Sequence, residues 1–479
     1  FSLLNVDVTI YIPDRIGEGY GPSIEAFNYL KDIGANLIIT VDCGTAAFDA
    51  IDYANENDIE VIVIDHHLSG DILPAAHALV NPNRKDESSE YGCLAAVGVA
   101  FLVAVAVTAT LRKNKYFIDK PEPALFNLLD IVAIGTICDV VPLEEINRAF
   151  VIQGLKILNK RQNVGIDAFC KLLNLDSELT TYHLGYVIGP RINAGGRVGE
   201  SSLGARLLST DDPVEAMEIA NKLEIYNSER KAIEFDVFEQ ALIQAKDQSQ
   251  DDSLIIVAGE NWHPGVVGIV AGRLKEMMHK PVAVISLSQG IGKASCRSIF
   301  GVDFGSAIVA AKEAGILVSG GGHKMAAGFT IDANKIPAIK SFLHNRFIQE
   351  IALLVNKDNR YFDAYLSVGS VNLNLAKQIE KIGPFGPSNP EPKFIIKNAY
   401  VAKYNIFANS HISCFIGCSD SGNLTKLLKA NAFRALDTDL GNILLKAAKP
   451  LDIVGYLRIN RWKGGETPEF IIEDVIVSL

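Results

Sequence analysis

Zinc-type spacing is missing from this 479-residue sequence: its seven cysteines, at 43, 93, 138, 170, 296, 414 and 418, form no Cys-x-x-Cys pair and no Cys/His cluster. An odd, scattered set in apolar surroundings reads as reduced thiols, which points to the cytoplasm. Basic charge is also short. Forty-five Lys and Arg stand against 56 Asp and Glu, a net charge of −11, so the chain is not coated with the positive surface that holds duplex DNA without discrimination. A local basic groove remains compatible with that total. Glycine and proline are not in excess, at 39 and 18, and no segment repeats at a fixed period, which excludes collagen-like, low-complexity and solenoid architectures. Nor is the chain polar enough to stay unfolded, being 48% hydrophobic and 21% charged. At roughly 100–200 residues per domain, its length predicts about three units. No signal-peptide pattern is present, and the sequence opens at Phe1 inside an extended apolar segment, so a natural N-terminus further upstream is expected.

One stretch, Tyr91 to Leu111, carries no charge and is long enough to span a membrane. Its wealth of Ala, Gly and Val suits close packing better than lipid, so a helix buried on all sides, and no membrane partner, is the expectation. Around it, from Val8 to Leu143, apolar strands alternate with helices: Thr9–Ile12, a helix over Pro22–Ile33, Leu37–Val41, a helix over Ala46–Asn57, and Val61–Ile64. Runs such as NLIITV and EVIVID mark strands buried on both faces of a parallel sheet. The class is α/β with a doubly wound, mostly parallel sheet. Asp211-Asp212-Pro213 then caps a charged helical pattern running to Gln248 without Gly or Pro, a long connecting helix. Strands at Ser253–Ala258 and Pro281–Leu287, with a glycine turn at Gly320–Gly322, predict a smaller α/β domain. Beyond Tyr361, five short strands (Phe362–Val368, Phe394–Val401, Ile412–Cys418, Asp452–Asn460, Glu469–Val477) and one inserted helix predict an OB-type β-barrel. The expected domains are 1–210, the connector 211–250, 251–355 and 360–479.

Asp42 closes one predicted strand, and Asp65, His66 and His67 close the next, one βαβ unit later. Parallel strands joined by one crossover set such ends side by side, at the crevice where α/β sheets bind ligands. Asp139, after the apolar run ending at Cys138, offers a third carboxylate. Carboxylates with imidazole and no thiolate favour Mn²⁺ or Mg²⁺ over structural Zn²⁺. Taken singly, Asp42 or Asp139 is as readily a helix cap as a ligand. The pair His66-His67 directly behind Asp65 is different, because polar groups at the end of a buried strand need partners and a metal is a natural one. Arg191, Asn193 and Arg197, in a glycine-rich segment, make a fork of donors suited to phosphate oxygens.

The ordered motifs VDCG (41–44), DHH (65–67) and CDVVPL (138–143) resemble those of the DHH phosphoesterase superfamily. RINAGGR (191–197), WHPGVVGIVA (262–271), ASCRS (294–298) and GGGHKMAAGF (320–329) are similar to the motifs of the RecJ family of single-strand-specific exonucleases, including its DHHA1 domain. PFGPSNPEPKF (384–394) resembles a further family segment, with Ser388 where the family usually has Gly. The resemblance implies a metal-dependent 5′-to-3′ exonuclease that degrades single-stranded DNA to mononucleotides in recombination and repair. It implies a two-metal site, Mn²⁺ or Mg²⁺, in which Asp42 bridges the ions and His66 and Asp139 are ligands. Asp65 would orient its neighbours, and His67 would contact substrate or assist proton transfer. Substrate contacts are implied for Arg15 and Tyr20 in the loop IPDRIGEGYG, for Arg191, Asn193 and Arg197, and for Ser295, Arg297 and the Gly321-Gly322-His323 turn, which would hold the 5′ phosphate.

The family's Asp-x-Asp-x-Asp-Gly opening motif is absent, and family spacing places it ahead of Phe1, so the metal pair is expected to be incomplete and this chain alone inactive. In the barrel, Phe385, Tyr404, Phe407 and Trp462 beside Lys393, Lys403, Arg458, Arg461 and Lys463 would extend the strand's track, although any single aromatic is more readily a residue of the barrel core, and Arg461-Trp462-Lys463 is the cluster most expected to be exposed. The implied partners are single-stranded DNA with a 5′ end, single-strand-binding protein and a RecQ-type helicase. Two readings compete: a nanoRNase or cyclic-dinucleotide phosphodiesterase of the same superfamily, whose members lack the connector and barrel, and a non-catalytic single-strand-binding scaffold, supported only by the absent first motif.

Overall fold

Two β-branched runs and a short third strand, Leu37–Val41 (β1), Glu60–Ile64 (β2) and Ala78–Val80 (β3), form a parallel sheet in the order β1-β2-β3. This computed structural model describes residues 1–14, 17–19, 21–248, 252–353, 361–420, 423–424, 426–446, 449–461 and 464–477. Helices Ile24–Asp32 and Phe48–Glu56 lie against the sheet, and Phe27, Ile51 and Val63 bury themselves between the layers. Ser23 caps the first helix by accepting from the Ala26 N–H at 3.1 Å. Thr9–Ile12 is not a strand: it has no ladder partner among the described residues, and Val8 and Ile10 stay exposed. Its alternation is real, but a strand exists only where a neighbour takes up its backbone groups.

The uncharged run becomes the helix Ala96–Lys113, which is long and apolar enough to cross a membrane. It packs against β1, β2 and the helix Leu129–Cys138, burying Ala96, Gly98, Val99 and Thr108 while Val105 and Val107 remain exposed. Burial on all sides is therefore corrected: a helix laid on one face of a small sheet is covered along one side.

Asp212 caps the long helix Pro213–Lys246, its side chain accepting from the Val214 N–H at 2.8 Å. At ~1.5 Å per residue the helix is about 50 Å long. It buries Ala216, Ile219, Ala220 and Leu223 near its start, where it packs on Val164–Leu172. Near its end Val237, Phe238, Ala241 and Ala245 join a core with Ile255–Glu260 (β4) and Val267–Met278. The connector is thus also a packed helix, with a separate apolar stripe at each end.

The smaller domain continues with Val282–Ser288 (β5), Ile291–Arg297 (β6), Ser319–His323 (β7) and Ala326–Asp332 (β8), ordered β4-β5-β6-β8-β7. The glycine turn is corrected: Gly320–Gly322 lies within edge strand β7. Helix Phe304–Glu313 packs so closely on it that a Cβ on Gly320 would sit 2.7 Å from Ile308 Cγ2, and on the β8 side a Cβ on Gly322 would sit 2.5 Å from Ala327 Cα.

The chain divides into two compact units, Phe1–Cys138 with Gln153–Asp358, and Asp139–Ile152 with Asn359–Leu479. In the second, the strands are Ala364–Leu366 (β9), Phe394–Phe407 (β10), His411–Asp420 (β11), Asn423–Leu424 (β12), Leu428–Ala432 (β13), Leu451–Asn460 (β14) and Thr467–Val477 (β15). The ring β10-β11-β13-β15-β14 closes on itself, an OB-type barrel around Ile412, Ile453 and Phe470. One ring member differs from expectation. Phe362–Val368 contributes only β9, which lies outside the ring beside β10, and the fifth ring strand is LKANA of β13, whose Lys and Asn mask its pattern. The segment 139–152 belongs to this unit: the Leu143 N–H donates to Pro387 O at 2.8 Å, and a Cβ on Gly386 would come 2.7 Å from Leu143 Cδ1. CDVVPL and PFGPSNPEPKF therefore interlock.

Phe470 is fully buried, so Phe470→Ala should cost about 3–5 kcal/mol. Urea denaturation measures this, and a loss below about 1 kcal/mol would show that the barrel core collapses around the gap.

Candidate metal centre

Register places the chemistry. Val41 pairs with Ile64 across β1 and β2, so the next residues, Asp42 and Asp65, leave the sheet together. The Asp42 N–H donates to Ile64 O and the Asp65 N–H to Val80 O, both at 3.0 Å, which stitches three strand ends into a stair. Asp42 then turns out with φ 60°, a left-handed conformation that non-glycine residues rarely hold. Gly44 behind it has no room for a side chain, since a Cβ would lie 2.5 Å from Thr40 Oγ1.

Asp65 is only 1% exposed. Its Oδ1 accepts from the His66 N–H at 2.8 Å, the His67 N–H at 3.3 Å and His67 Nδ1 at 2.7 Å, and its Oδ2 accepts from the Thr45 N–H at 3.1 Å. Burial alone would raise its pKa. The bonds from His67, Thr45 and the backbone outweigh burial and hold the carboxyl below the usual carboxylate range. The same bond to Asp65 raises the pKa of His67, against the opposing effect of burial.

His66 is held differently. Its Nδ1 lies 3.0 Å from Leu94 O, and a carbonyl only accepts, so Nδ1 carries the proton and Nε2 is the nitrogen aimed at Asp42 Oδ1, 3.3 Å away. An imidazole fixed by a backbone carbonyl with its other nitrogen beside a carboxylate is the arrangement of a metal ligand. Donor atoms of Asp42, His66 and His67 all lie within 4.8 Å of one another. Cys43 adds no thiolate: burial, with Asp65 and Asp42 nearby, pushes its thiol up to about 11. The oxygen and nitrogen set fits Mn²⁺ or Mg²⁺.

Asn81 and Asn83 complete the frame. Asn81 Nδ2 donates to Thr45 Oγ1 at 2.9 Å and His67 O at 2.8 Å, and Asn83 Nδ2 donates to His66 O at 2.6 Å. Both residues escaped notice because β3 has only three residues; the polar NPN directly after ALV is the signal that could have found them.

Asp139 is exposed, belongs to the second unit, and precedes Val140, a β-branched residue at φ 61°. Arg15, Tyr20, Trp462 and Lys463 lie outside the described residues. His323, at the end of β7, stacks on His67 with centroids 6.4 Å apart and planes 12° from parallel. Gly321 and Gly322 reach this region as strand rather than as a cupped turn. On β6, Arg297 Nη1 donates to Cys296 O at 2.8 Å and to Ser295 Oγ at 3.3 Å. Gly268 lets a helix lie directly over them, for a Cβ there would be 2.9 Å from Ser295 Oγ.

The expected donor fork is narrower than read. Arg191 is ion-paired with Glu224 and donates to Val187 O at 2.7 Å, so its guanidinium is committed inside the fold. Asn193 and Arg197 instead line a cavity of about 710 Å³, and Arg197 Nη1 donates to Gly265 O at 2.8 Å. The barrel's basic track is also corrected, because an acidic chain supplies a carboxylate to each of three cations: Lys393 to Glu473 at 2.7 Å, Arg458 to Glu391 at 2.6 Å and Arg461 to Glu380 at 2.7 Å. Phe385 packs against the core, whereas Lys403 and Tyr404 stay exposed.

Comparison with known proteins agrees with this anatomy. Residues 2–136 match the DHH family, N-terminal domain, residues 251–350 the DHHA1 domain, and residues 362–474 the RecJ OB domain. The single-stranded-DNA-specific exonuclease RecJ of Escherichia coli is 33% identical over 98% of this chain and 82% of its own length. The chain belongs to the RecJ family. RecJ of Bacillus subtilis is also 33% identical over 99% of this chain, which spans only 58% of that relative. The crystal structure of RecJ in complex with Mn²⁺ from Thermus thermophilus superposes with a TM-score of 0.76 at 28% identity, covering 95% of this chain and 64% of that one.

Asp65→Asn removes the negative charge that His67 Nδ1 faces and leaves at most a neutral amide oxygen to accept from it. In the wild type the folded pKa of His67 lies above the unfolded value, so the stability it contributes is complete below about pH 6.5 and is lost as pH rises through the raised folded value. The variant should titrate His67 at or below about 6.5, followed by NMR, and should bind Mn²⁺ about 10–100-fold more weakly. An unchanged His67 titration contradicts the assignment.

Proposed function

We propose that this chain forms the working core of a metal-dependent 5′-to-3′ exonuclease that degrades single-stranded DNA to mononucleotides in recombination and repair. The observation that supports this most is the Asp42, His66 and His67 donor cluster with His323 stacked against it from the DHHA1 side. A bound Mn²⁺ or Mg²⁺ would lower the pKa of a water and offset charge on the attacked phosphate. In this reading Asp42 and His66 hold the metal, with Asp139 as a further ligand. Asp65 fixes the His67 ring, so that Nε2 is the nitrogen offered to substrate or to a proton in transit. Ser295, Arg297, Gly321, Gly322 and His323 take the 5′ phosphate; Asn193 and Arg197, with Arg15 and Tyr20, take the strand behind it. A phosphate pocket and a metal cluster held in one compact unit would set the length of each step.

The division 1–210, 211–250, 251–355 and 360–479 belongs to the same proposal, with the barrel as the added strand-binding module. All seven cysteines are free thiols, which is compatible with work in the cytoplasm. Single-strand-binding protein and a RecQ-type helicase fit as partners because each manages the substrate this reading requires.

The test is release of mononucleotides from 5′-phosphorylated single-stranded DNA in Mn²⁺, using the protein with an Asp-rich opening motif ahead of Phe1. Asp42→Ala should abolish release, and His67→Ala should lower kcat about 10²–10⁴-fold with little change in KM. A protein that binds the strand yet releases nothing with any divalent metal would instead be a scaffold.

A further inference from the structure

Among the candidate ligands Asp139 alone belongs to the barrel unit, outside the unit that carries Asp42 and His66. Val140, the next residue, holds φ 61° although it is β-branched, and it is 67% exposed. A conformation that costly persists only where the surroundings impose it. An exposed side chain cannot do so through its own packing, so the constraint comes from the chain on either side. Downstream, Leu143 is 1% exposed and its N–H donates to Pro387 O at 2.8 Å. Asn147 Nδ2 donates to Pro142 O at 2.9 Å, and Arg148 Nη2 donates to Ile382 O at 2.8 Å and to Gly383 O at 3.0 Å. The segment 139–152 is thus gripped by residues 382–387 of the same unit.

The grip depends on a tight turn. The Gly386 N–H donates to Asn389 O at 3.0 Å and the Asn389 N–H to Gly386 O at 3.2 Å, which leaves Pro387 and Ser388 at the two central positions. Ser388 holds φ 60°, the left-handed value that the second central residue of a type II turn requires and that proline favours from the position before it. Type I and type II turns differ by a flip of the central peptide, so the conformation of Ser388 decides where the Pro387 carbonyl points. As it stands, that carbonyl meets the Leu143 N–H. Asn389 Nδ2 braces the turn by donating to Pro384 O at 2.8 Å, and Gly386 leaves room for Leu143, whose Cδ1 would lie 2.7 Å from a Cβ there.

We propose that the turn Gly386–Asn389 is a positioning device for a metal ligand: by holding Leu143 it fixes the backbone through Val140 and so sets where the Asp139 carboxylate stands. The barrel unit then has a second task besides binding the strand, and Ser388 is a positioning residue that acts through Asp139. The inference rests on the reading of Asp139 as a ligand.

The test titrates Mn²⁺, followed by electron paramagnetic resonance, into the protein of the exonuclease assay and into its Asp139→Asn, Ser388→Gly and Ser388→Val variants, each checked by thermal melting. Glycine adopts a left-handed φ freely and valine resists it. Ser388→Gly should therefore bind Mn²⁺ as the wild type does, and Ser388→Val about 10-fold more weakly. Asp139→Asn should weaken binding at least as much. Neither abolishes it, because Asp42 and His66 remain. In the double variant Asp139→Asn with Ser388→Val, the second substitution should cost nothing further, which a general loosening of the fold would not reproduce. If Ser388→Val fails to fold, Gly386→Ala, which presses on Leu143, takes its place. A folded turn variant with wild-type Mn²⁺ affinity, or a loss that adds to that of Asp139→Asn, overturns the positioning role and leaves Asp139 as a ligand. Wild-type affinity in Asp139→Asn sinks the ligand reading itself, and the inference with it.

Discussion

The carboxylate of Asp65 sits at the end of a buried strand with donors from His66, His67 and Thr45 aimed at its two oxygens, and the placement of both histidines follows from that geometry. A carboxylate so deeply buried and left alone would cost several kcal/mol. Satisfied as it is, it orders two loops and one side chain at once: the turn after β1 through Thr45, the His66-His67 backbone, and the His67 ring. Asn81 and Asn83 hold the same backbone from the other side by its carbonyls. Leu94 O holds His66 Nδ1 and so turns Nε2 toward Asp42, which the adjoining strand delivers to the same edge.

That arrangement depends in turn on parallel pairing, because only parallel neighbours present their carboxyl ends on one side. Close packing at small residues is a second requirement. Gly265 brings the smaller domain against the Arg197 carbonyl, and within that domain Gly268 lies against Ser295 and Arg297 and Gly305 against the backbone of β7. A side chain at any of the three would displace backbone or side chains that carry candidate substrate contacts.

Much of this was legible in the sequence where one residue pattern had one structural solution. Continuous β-branched runs marked β1 and β2 and so placed Asp42 and Asp65, and Asp212-Pro213 marked the start of the long helix. The misses share a physical cause: they turn on partners distant in sequence. Arg191 looks like a phosphate donor until Glu224 on another helix claims it. The glycines 320–322 look like a turn until a helix packing on one side and β8 on the other make them an edge strand. LKANA becomes a ring strand only between β11 and β15, and the barrel's cations lose their apparent freedom to Glu473, Glu391 and Glu380.

The account's central claim is that the Asp65 frame presents His66 Nε2, and not a thiol or a lone carboxylate, as a ligand beside Asp42. Electron spin-echo envelope modulation of the Mn²⁺-loaded protein tests it directly. The account predicts nitrogen modulation from one coordinated imidazole, lost in His66→Ala and kept in Cys43→Ala. Manganese bound with no nitrogen coupling, or with coupling that survives His66→Ala, would contradict it.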